Sequence, residues 1–274
     1  MADAIFFAGF KKEKVEALLR KALWVLIIGL FLFSAGEMIF HFFIAPQSFL
    51  RSIEIKTDLP IAEQEILSLA GLSRNEYYFF IDTARIEENL KTHPLVKDAL
   101  VEKVFPDGLK LTLVGRSPVC VTFGLDAGRS VPYLVDEEGI LFKAGISDKN
   151  GILPVLSGIS IPENAVGKKV PEALLPLFGD LAKIRMQEKQ LLDLVSEIRV
   201  ISMQNNSFEL YIYPVSYHVK VQTGKRLSGA MLRAMFFGLH FMKQEGILPG
   251  VQEVDFRTGE LVYRTKGGVP SAVQ

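Results

Sequence analysis

Residues 90–119 read LKTHPLVKDALVEKVFPDGLKLTLVGRSPV, and this run decides how the rest of the chain divides. Pro94 ends any helix before it, because its ring drives the preceding residue out of the helical region. LVKDALVEKVF and LKLTLVGR then alternate apolar and polar residues, the pattern of half-buried strands, and PDG between them is a turn. Upstream, DTARIEENLKTHP predicts a helix with Asp82 or Thr83 as N-cap and Ile86 and Leu90 on its buried face. YYFFID, just before it, is expected as a short extended run. In PIAEQEILSLAGL, Pro60 opens a helix, Ile61, Ile66, Leu67 and Ala70 share a face, and Gly71 is a natural stop. FLRSIEIKTD, residues 49–58, alternates like a strand. The order strand, helix, short strand, helix, strand, strand implies two helices over one face of a small mixed sheet.

Before this region lies ALWVLIIGLFLFSAGEMIFHFFI, residues 22–44, 23 residues with two ionisable side chains. As a helix it would reach about 34 Å, slightly more than the hydrocarbon core of a bilayer. Lys11, Lys12, Lys14, Arg20 and Lys21 precede it, which predicts a cytoplasmic tail over residues 1–21 and an extracytoplasmic remainder. The rival reading is a cleaved signal peptide ending near Ser34 and Gly36. The apolar run resumes at once with MIFHFFI, which a released domain would not need, so a retained anchor is the expectation. Glu37 and His41 then share one helix face near its outer end. They either snorkel to the headgroups or face another transmembrane helix, and both readings stay open.

After residue 117 the patterning changes. PVCVTFG reads as a strand, YLVDEEGILFKAG as a hairpin turning at Asp136–Gly139, and LPVLSGI as another short strand. PEALLPLFGDLAKIRMQEKQ is helical, with Leu174, Leu177, Phe178, Leu181 and Ile184 on one face. Strands follow at LVSEIRVIS, FELYIYP and YHVKVQTG, then a helix over residues 225–244. The strands VQEVDFR and ELVYR close the region, joined through Thr258 and Gly259. The expected division is a cytoplasmic tail 1–21, a span 22–44, a first domain 49–117, a mostly-β domain with two helices 118–266, and a disordered tail 267–274.

Composition excludes several function classes. Basic and acidic residues both total 31, so no broad basic face for nucleic acid is expected. Cys120 is the sole cysteine, which rules out an internal disulfide, and its strand context predicts an inert thiol. His41, His93, His218 and His240 have no metal-ligand spacing. Asp136, Glu137 and Glu138 look like a carboxylate cluster, but their place at a hairpin predicts a solvated turn. Met231, Met235, Phe236, Leu239 and Met242 are the buried stripe of a helix. No catalytic, cofactor or metal site is expected.

The 90–119 run is similar to the POTRA (polypeptide-transport-associated) domain of the FtsQ/DivIB family of bacterial division proteins. The matching positions are Leu90, Pro94, Val96, Ala99, Val101, Lys103, Phe105, Pro106, Leu109, Arg116 and Pro118, with FFID (79–82) at the entry to the second helix. Gly115 stands where the family usually has an acidic residue, Lys103 where Arg is usual, and Phe105 where Trp is common. The resemblance implies an α+β fold: one N-terminal transmembrane helix, a POTRA domain of two helices on a small mixed sheet, then the mostly-β domain.

It also implies a non-catalytic scaffold, set in the bilayer of the inner membrane at the division septum. Its partners would be FtsB- or DivIC-like coiled-coil proteins and FtsL-like ones, linking them to septal peptidoglycan synthesis. EVDFRTGELVYR resembles the family's last hairpin, which places Arg257, Thr258 and Gly259 in the turn. Glu260, Leu261, Val262, Tyr263 and Arg264 would then form a partner-pairing edge strand, with Arg257 offered to a partner carboxylate and Tyr263 as an anchor. A POTRA-bearing envelope transport or assembly factor is the alternative, though too few residues follow for a membrane barrel. A membrane-anchored envelope enzyme is a third reading.

Overall fold

The computed structural model describes residues 3–40, 49–73, 76–146, 151–203, 207–265 and 271–272. A first helix, α1 (Asp3–Ile39), contains a stretch, Val15–Ile39, long and apolar enough to cross a membrane. Its apolar side chains lie exposed, as Leu26, Leu30 and Phe33 show. Residues 41–44 of the expected span, and with them His41, lie outside the described residues.

The contacts group the chain into two units, Met1–Lys56, Glu63–Ile86 and Leu100–Thr112 in one, and Thr57–Ala62, Glu87–Ala99 and Leu113–Gln274 in the other. A three-stranded sheet is built from β1 (Ser52–Lys56), β2 (Val96–Val104) and β3 (Gly108–Gly115), in the order β1-β3-β2 with β1 parallel to β3. Between β1 and β2 come α2 (Glu63–Ala70) and α3 (Thr83–Lys91). Gly71 closes α2 at φ +68°, a left-handed conformation that only glycine takes without strain. The Asp82 carboxylate caps α3 by accepting from the Arg85 amide at 3.2 Å. Ile66, Ala70, Ile86 and Leu90 are buried on the helices, and Ala99, Val101, Leu109, Leu111 and Leu113 on the strands.

The expected extended run at YYFFID is instead a 3-10 turn, Tyr78–Phe80. Its burial explains why: Tyr78 and Ile81 point inward while Phe79 and Phe80 are exposed, a spacing of three rather than two.

The larger sheet has ten strands in the order β13-β12-β11-β10-β9-β8-β7-β4-β5-β6. They are β4 (Cys120–Asp126), β5 (Arg129–Val135), β6 (Leu141–Ala144), β7 (Val155–Ser157), β8 (Val195–Ser202), β9 (Phe208–Pro214), β10 (Lys220–Thr223), β11 (Val251–Asp255), β12 (Val262–Thr265) and β13 (Ser271–Ala272). The first hairpin turns at Ala127 and Gly128, both at positive φ, so β5 starts earlier than its apolar YLV core suggests. Three neighbouring pairs, β4–β7, β7–β8 and β10–β11, are parallel. Parallel neighbours need a crossover. Here α4 (Leu175–Asp193) joins β7 to β8, and α5 (Gly229–Gln244) joins β10 to β11. Leu177, Phe178 and Leu181 of α4 and Leu232, Met235 and Leu239 of α5 share one core with the sheet residues Val135, Ile198, Ile212 and Val254. Val121, Leu134 and Phe142 form a smaller cluster with Leu95 packed on it.

The DEE turn departs from the solvated loop its composition predicts. The Asp136 carboxylate is 2 % exposed and takes the Arg116 guanidinium, itself 9 % exposed. Asp136 also accepts the Glu138 amide at 3.0 Å and the Ile140 amide at 2.8 Å. Glu138 takes Arg116 at 2.6 Å, and Glu137 takes Lys97. Desolvation works against the Arg116 charge, yet its bonds to Glu138 and Asp136 outweigh that and hold its pKa above the usual value. A Cβ at Gly115, where the family usually has an acidic residue, would meet the terminal methyl of Leu59, which would have to shift. Arg116 forms its ion pairs with a distant turn, since residue 115 offers no carboxylate.

A second partly buried pair supports the helices. Asp180 on α4 accepts the Arg226 guanidinium through both oxygens, at 2.6 and 2.7 Å, and the Leu227 amide at 3.1 Å. Burial raises the Asp180 carboxyl, but Arg226 and the amide more than offset this, so its pKa is lowered.

Removing Arg116 leaves Asp136 buried and unpaired, a change that costs about 3–5 kcal/mol. Denaturant unfolding of the full chain in detergent should show Arg116→Ala destabilised by that order, and Asp136→Asn, which keeps an acceptor for the two amides, less than Asp136→Ala. A depressed Asp180 pKa adds stability above the unfolded value, about 3.9, that is lost as pH falls through the folded value. The stability gap between the natural chain and Asp180→Asn should thus be full at neutral pH and close in acid; a gap constant with pH would contradict the pairing.

Candidate functional site at the sheet edge

The strand expected as the sheet edge is not the edge: β12 lies second from one end of the ten-stranded sheet, between β11 and β13. β12 pairs antiparallel with β11, Val254 opposite Tyr263 and Asp255 opposite Val262. The turn before it is held by backbone bonds: Phe256 N–H donates to the Gln222 carbonyl at 2.8 Å, and Gly259, at φ +88°, donates to Phe256 at 3.3 Å. Of the predicted edge residues, Glu260 and Leu261 belong to this turn, and Val262, Tyr263 and Arg264 to the strand. Thr258 and Glu260 are exposed.

Arg257 is placed differently from the free guanidinium expected. It bonds Asp255 at 2.6 and 3.0 Å and Glu209 of β9 at 3.0 Å, and its own amide donates to Asp255 at 3.0 Å. These bonds, Asp255 first, raise its pKa, while Arg257 lowers that of Asp255. Glu209 also accepts Gln222 of β10. Arg257 thereby ties the last hairpin back across the sheet.

Leu261 and Tyr263 are half-buried against the main core. Leu261 lies against Gly238 of α5, where a Cβ would overlap it. Phe237, next to Gly238 and 75 % exposed, and Phe241, one turn on, form an apolar pair on the same helix. Of the expected α5 stripe, Met235, Phe236, Leu239 and Met242 are buried, Met231 is half-buried and Leu232 takes the remaining buried place. Sequence reasoning passes over Phe237 and Phe241; their spacing of four outside that stripe is the available signal.

The outer side of β12 is covered. Ser271 pairs with Tyr263 and Ala272 with Val262, antiparallel, within the 267–274 segment read as a tail. This cover is two residues long. At the other candidate place, Glu37 stands on α1 in a groove lined by Leu32, Phe33, Gly36 and Phe40, while His41 lies outside the described residues. Cys120 is fully buried, and desolvation pushes its thiol pKa upward. Among the described residues no cluster of three or more His, Cys, Asp or Glu could hold a metal ion.

Residues 48–116 match the family model of the POTRA domain, FtsQ-type. The chain is 33% identical to the cell division protein FtsQ of Anaeromyxobacter sp. (strain K) over 116 residues, 42% of this chain and 37% of that protein. It is 26% identical to the FtsQ of Geobacter sp. (strain M21) over 44% of this chain and 42% of the relative. It is 25% identical to the cell division protein DivIB of Geobacillus kaustophilus (strain HTA426) over 62% and 63%. The matched segment spans about two fifths of the first two relatives. The fold and the matched domain define a POTRA-bearing α+β chain with one long apolar helix. Within that class it is similar to the FtsQ/DivIB cell division proteins.

Gly→Ala inside a helix ordinarily stabilises by about 1 kcal/mol. A methyl added at Gly179 of α4 would meet nothing within 4 Å, whereas one added at Gly238 would meet Leu261. Gly179→Ala should follow the ordinary rule. Gly238→Ala should push Leu261 outward and speed tryptic cleavage after Arg257 and Arg264; equal cleavage of the two variants would contradict the packing described.

Proposed function

We propose that this chain is a non-catalytic bitopic scaffold of the bacterial division machinery. It crosses the inner membrane through α1 with its first residues in the cytoplasm, and presents the POTRA domain (residues 49–117) and the ten-stranded sheet outside. At the septum it holds an FtsB- or DivIC-like coiled-coil protein, with an FtsL-like companion, close to peptidoglycan synthesis. The observation that carries this reading is β12, second from the end of the sheet, paired with β11 on its inner side and, among the described residues, with only Ser271–Ala272 on its outer side.

An incoming strand would replace Ser271–Ala272 and pair with Val262–Thr265 through backbone bonds. Phe237 and Phe241 would receive apolar residues flanking that strand. Arg257 serves by positioning the hairpin, since its Nε and both Nη atoms bond Asp255 and Glu209 within the chain. The relatives' names, cell division proteins FtsQ and DivIB, support the cellular setting. Glu37, two residues before the end of α1, is a candidate contact to a partner's transmembrane helix.

Co-purification from solubilised membranes tests the reading. The natural chain should carry a small coiled-coil membrane protein, Val262→Pro and Tyr263→Lys should lose it, and the double change Ser271→Pro/Ala272→Pro should retain more of it. Equal recovery with all these chains would overturn the edge-strand account.

A further inference from the structure

The first sheet ends in a group of exposed aromatic rings that its core does not use. Three segments meet there. The Leu50 amide donates to the Glu76 carbonyl at 2.9 Å, and Phe49 forms a β-bridge with Tyr77, their rings 4.5 Å apart. The Arg51 amide donates to the Asp107 carbonyl at 2.9 Å, which brings the β2–β3 turn to the same end. Lys103 closes the group: its ammonium donates to the Phe79 carbonyl at 3.2 Å and lies 5.7 Å from the centre of the Tyr78 ring.

Phe80 is 87 % exposed and Phe105 75 %, while Tyr77 and Phe79 are near half. Exposed rings gathered at one end of a small sheet mark a surface meant for an apolar or interfacial partner. This is also the end where β1 begins, so the chain coming from α1 arrives here. The link is direct as well as topological: the Phe40 ring, at the end of α1, lies 5.9 Å from that of Phe79. Two basic side chains belong to the same end: Lys103, and Arg51, whose side chain is 64 % exposed and sits in a loose ion pair with Asp107 at 3.9 Å.

We infer that this aromatic end lies in the headgroup layer of the same bilayer that α1 crosses, with Phe80 and Phe105 immersed at the acyl boundary and Arg51 and Lys103 facing lipid phosphates. The inference rests on the reading of α1 as a membrane span. Rings with basic flanks are the composition of membrane-interface belts, where apolar bodies enter the boundary and cations meet the phosphates. Such immersion would fix this end of the first sheet at the membrane surface and withdraw its rings from other chains.

The test uses the full chain in vesicles of phosphatidylethanolamine and phosphatidylglycerol containing lipids brominated either near the glycerol or near the chain ends. Trp24 is the one native tryptophan and reports the span. In a Trp24→Phe background, Phe80→Trp reports the aromatic end, and Phe237→Trp on α5 serves as the comparison. The inference expects quenching for Phe80→Trp, strongest with bromine near the glycerol, and none for Phe237→Trp. Quenching of native Trp24 with an unquenched, water-exposed indole in Phe80→Trp would overturn the inference while sparing the span, and would leave the rings to a protein partner. Equal quenching of Phe80→Trp and Phe237→Trp would overturn it as general adsorption. No quenching of Trp24 would remove the span, and the inference with it.

Discussion

The guanidinium of Arg116 sits at the point where the chain leaves the small sheet and begins the large one, with carboxylates of the β5–β6 turn as its partners. Its backbone amide is fixed too, donating to the Leu95 carbonyl at 3.0 Å. A charge this covered is tolerable only because Asp136 and Glu138 approach it and the turn amides satisfy the rest of Asp136. The rest of the large sheet depends on that start: β4 pairs with β5 on one side and with β7 on the other, and the remaining strands add outward from β7 to β12. A shift at Arg116 would propagate into the register of β4, whose first three residues are all buried.

At the far end a second set of ion pairs does comparable work for the last hairpin. Arg257 joins Asp255 and Glu209, and Gly238 lets Leu261 settle on α5. β12 is therefore held fast on its inner side. Rigidity of this kind matters for strand addition, because an edge already in extended register needs little ordering when it pairs. In the proposed exchange, Ser271–Ala272, the described cover of β12, would give way to a longer strand. Docking of this sort needs no titrating group or metal, in keeping with charges that are spent on the chain's own turns.

The small sheet is legible in the sequence because its signals are local. Pro94, the N-cap at Asp82 and the alternation through Val96–Val104 each constrain only their neighbours. Long runs such as α4 and α5 are legible for the same reason, through Leu177, Phe178, Leu181 and the stripe on α5. Less legible is anything set by partners distant in sequence. The YYFF turn follows a spacing of three in a run too short to show a period. The acidity of DEE reads as solvated until Arg116, 20 residues away, is brought onto it. Parallel pairing of β7 with β8 and of β10 with β11 depends on where α4 and α5 return the chain, which no single segment encodes. Arg257 reads as free for a similar reason, since Glu209 lies 48 residues earlier.

The central claim is that β12 pairs with a strand from another chain. Amide hydrogen exchange on the full chain in detergent, with and without the soluble segment of the coiled-coil protein that co-purifies with it, tests this most directly. The account predicts new protection at Val262–Thr265 and in the α5 turn around Phe237 and Phe241, with the small sheet unchanged. Protection confined to the small sheet, or an unaltered β12, would contradict it.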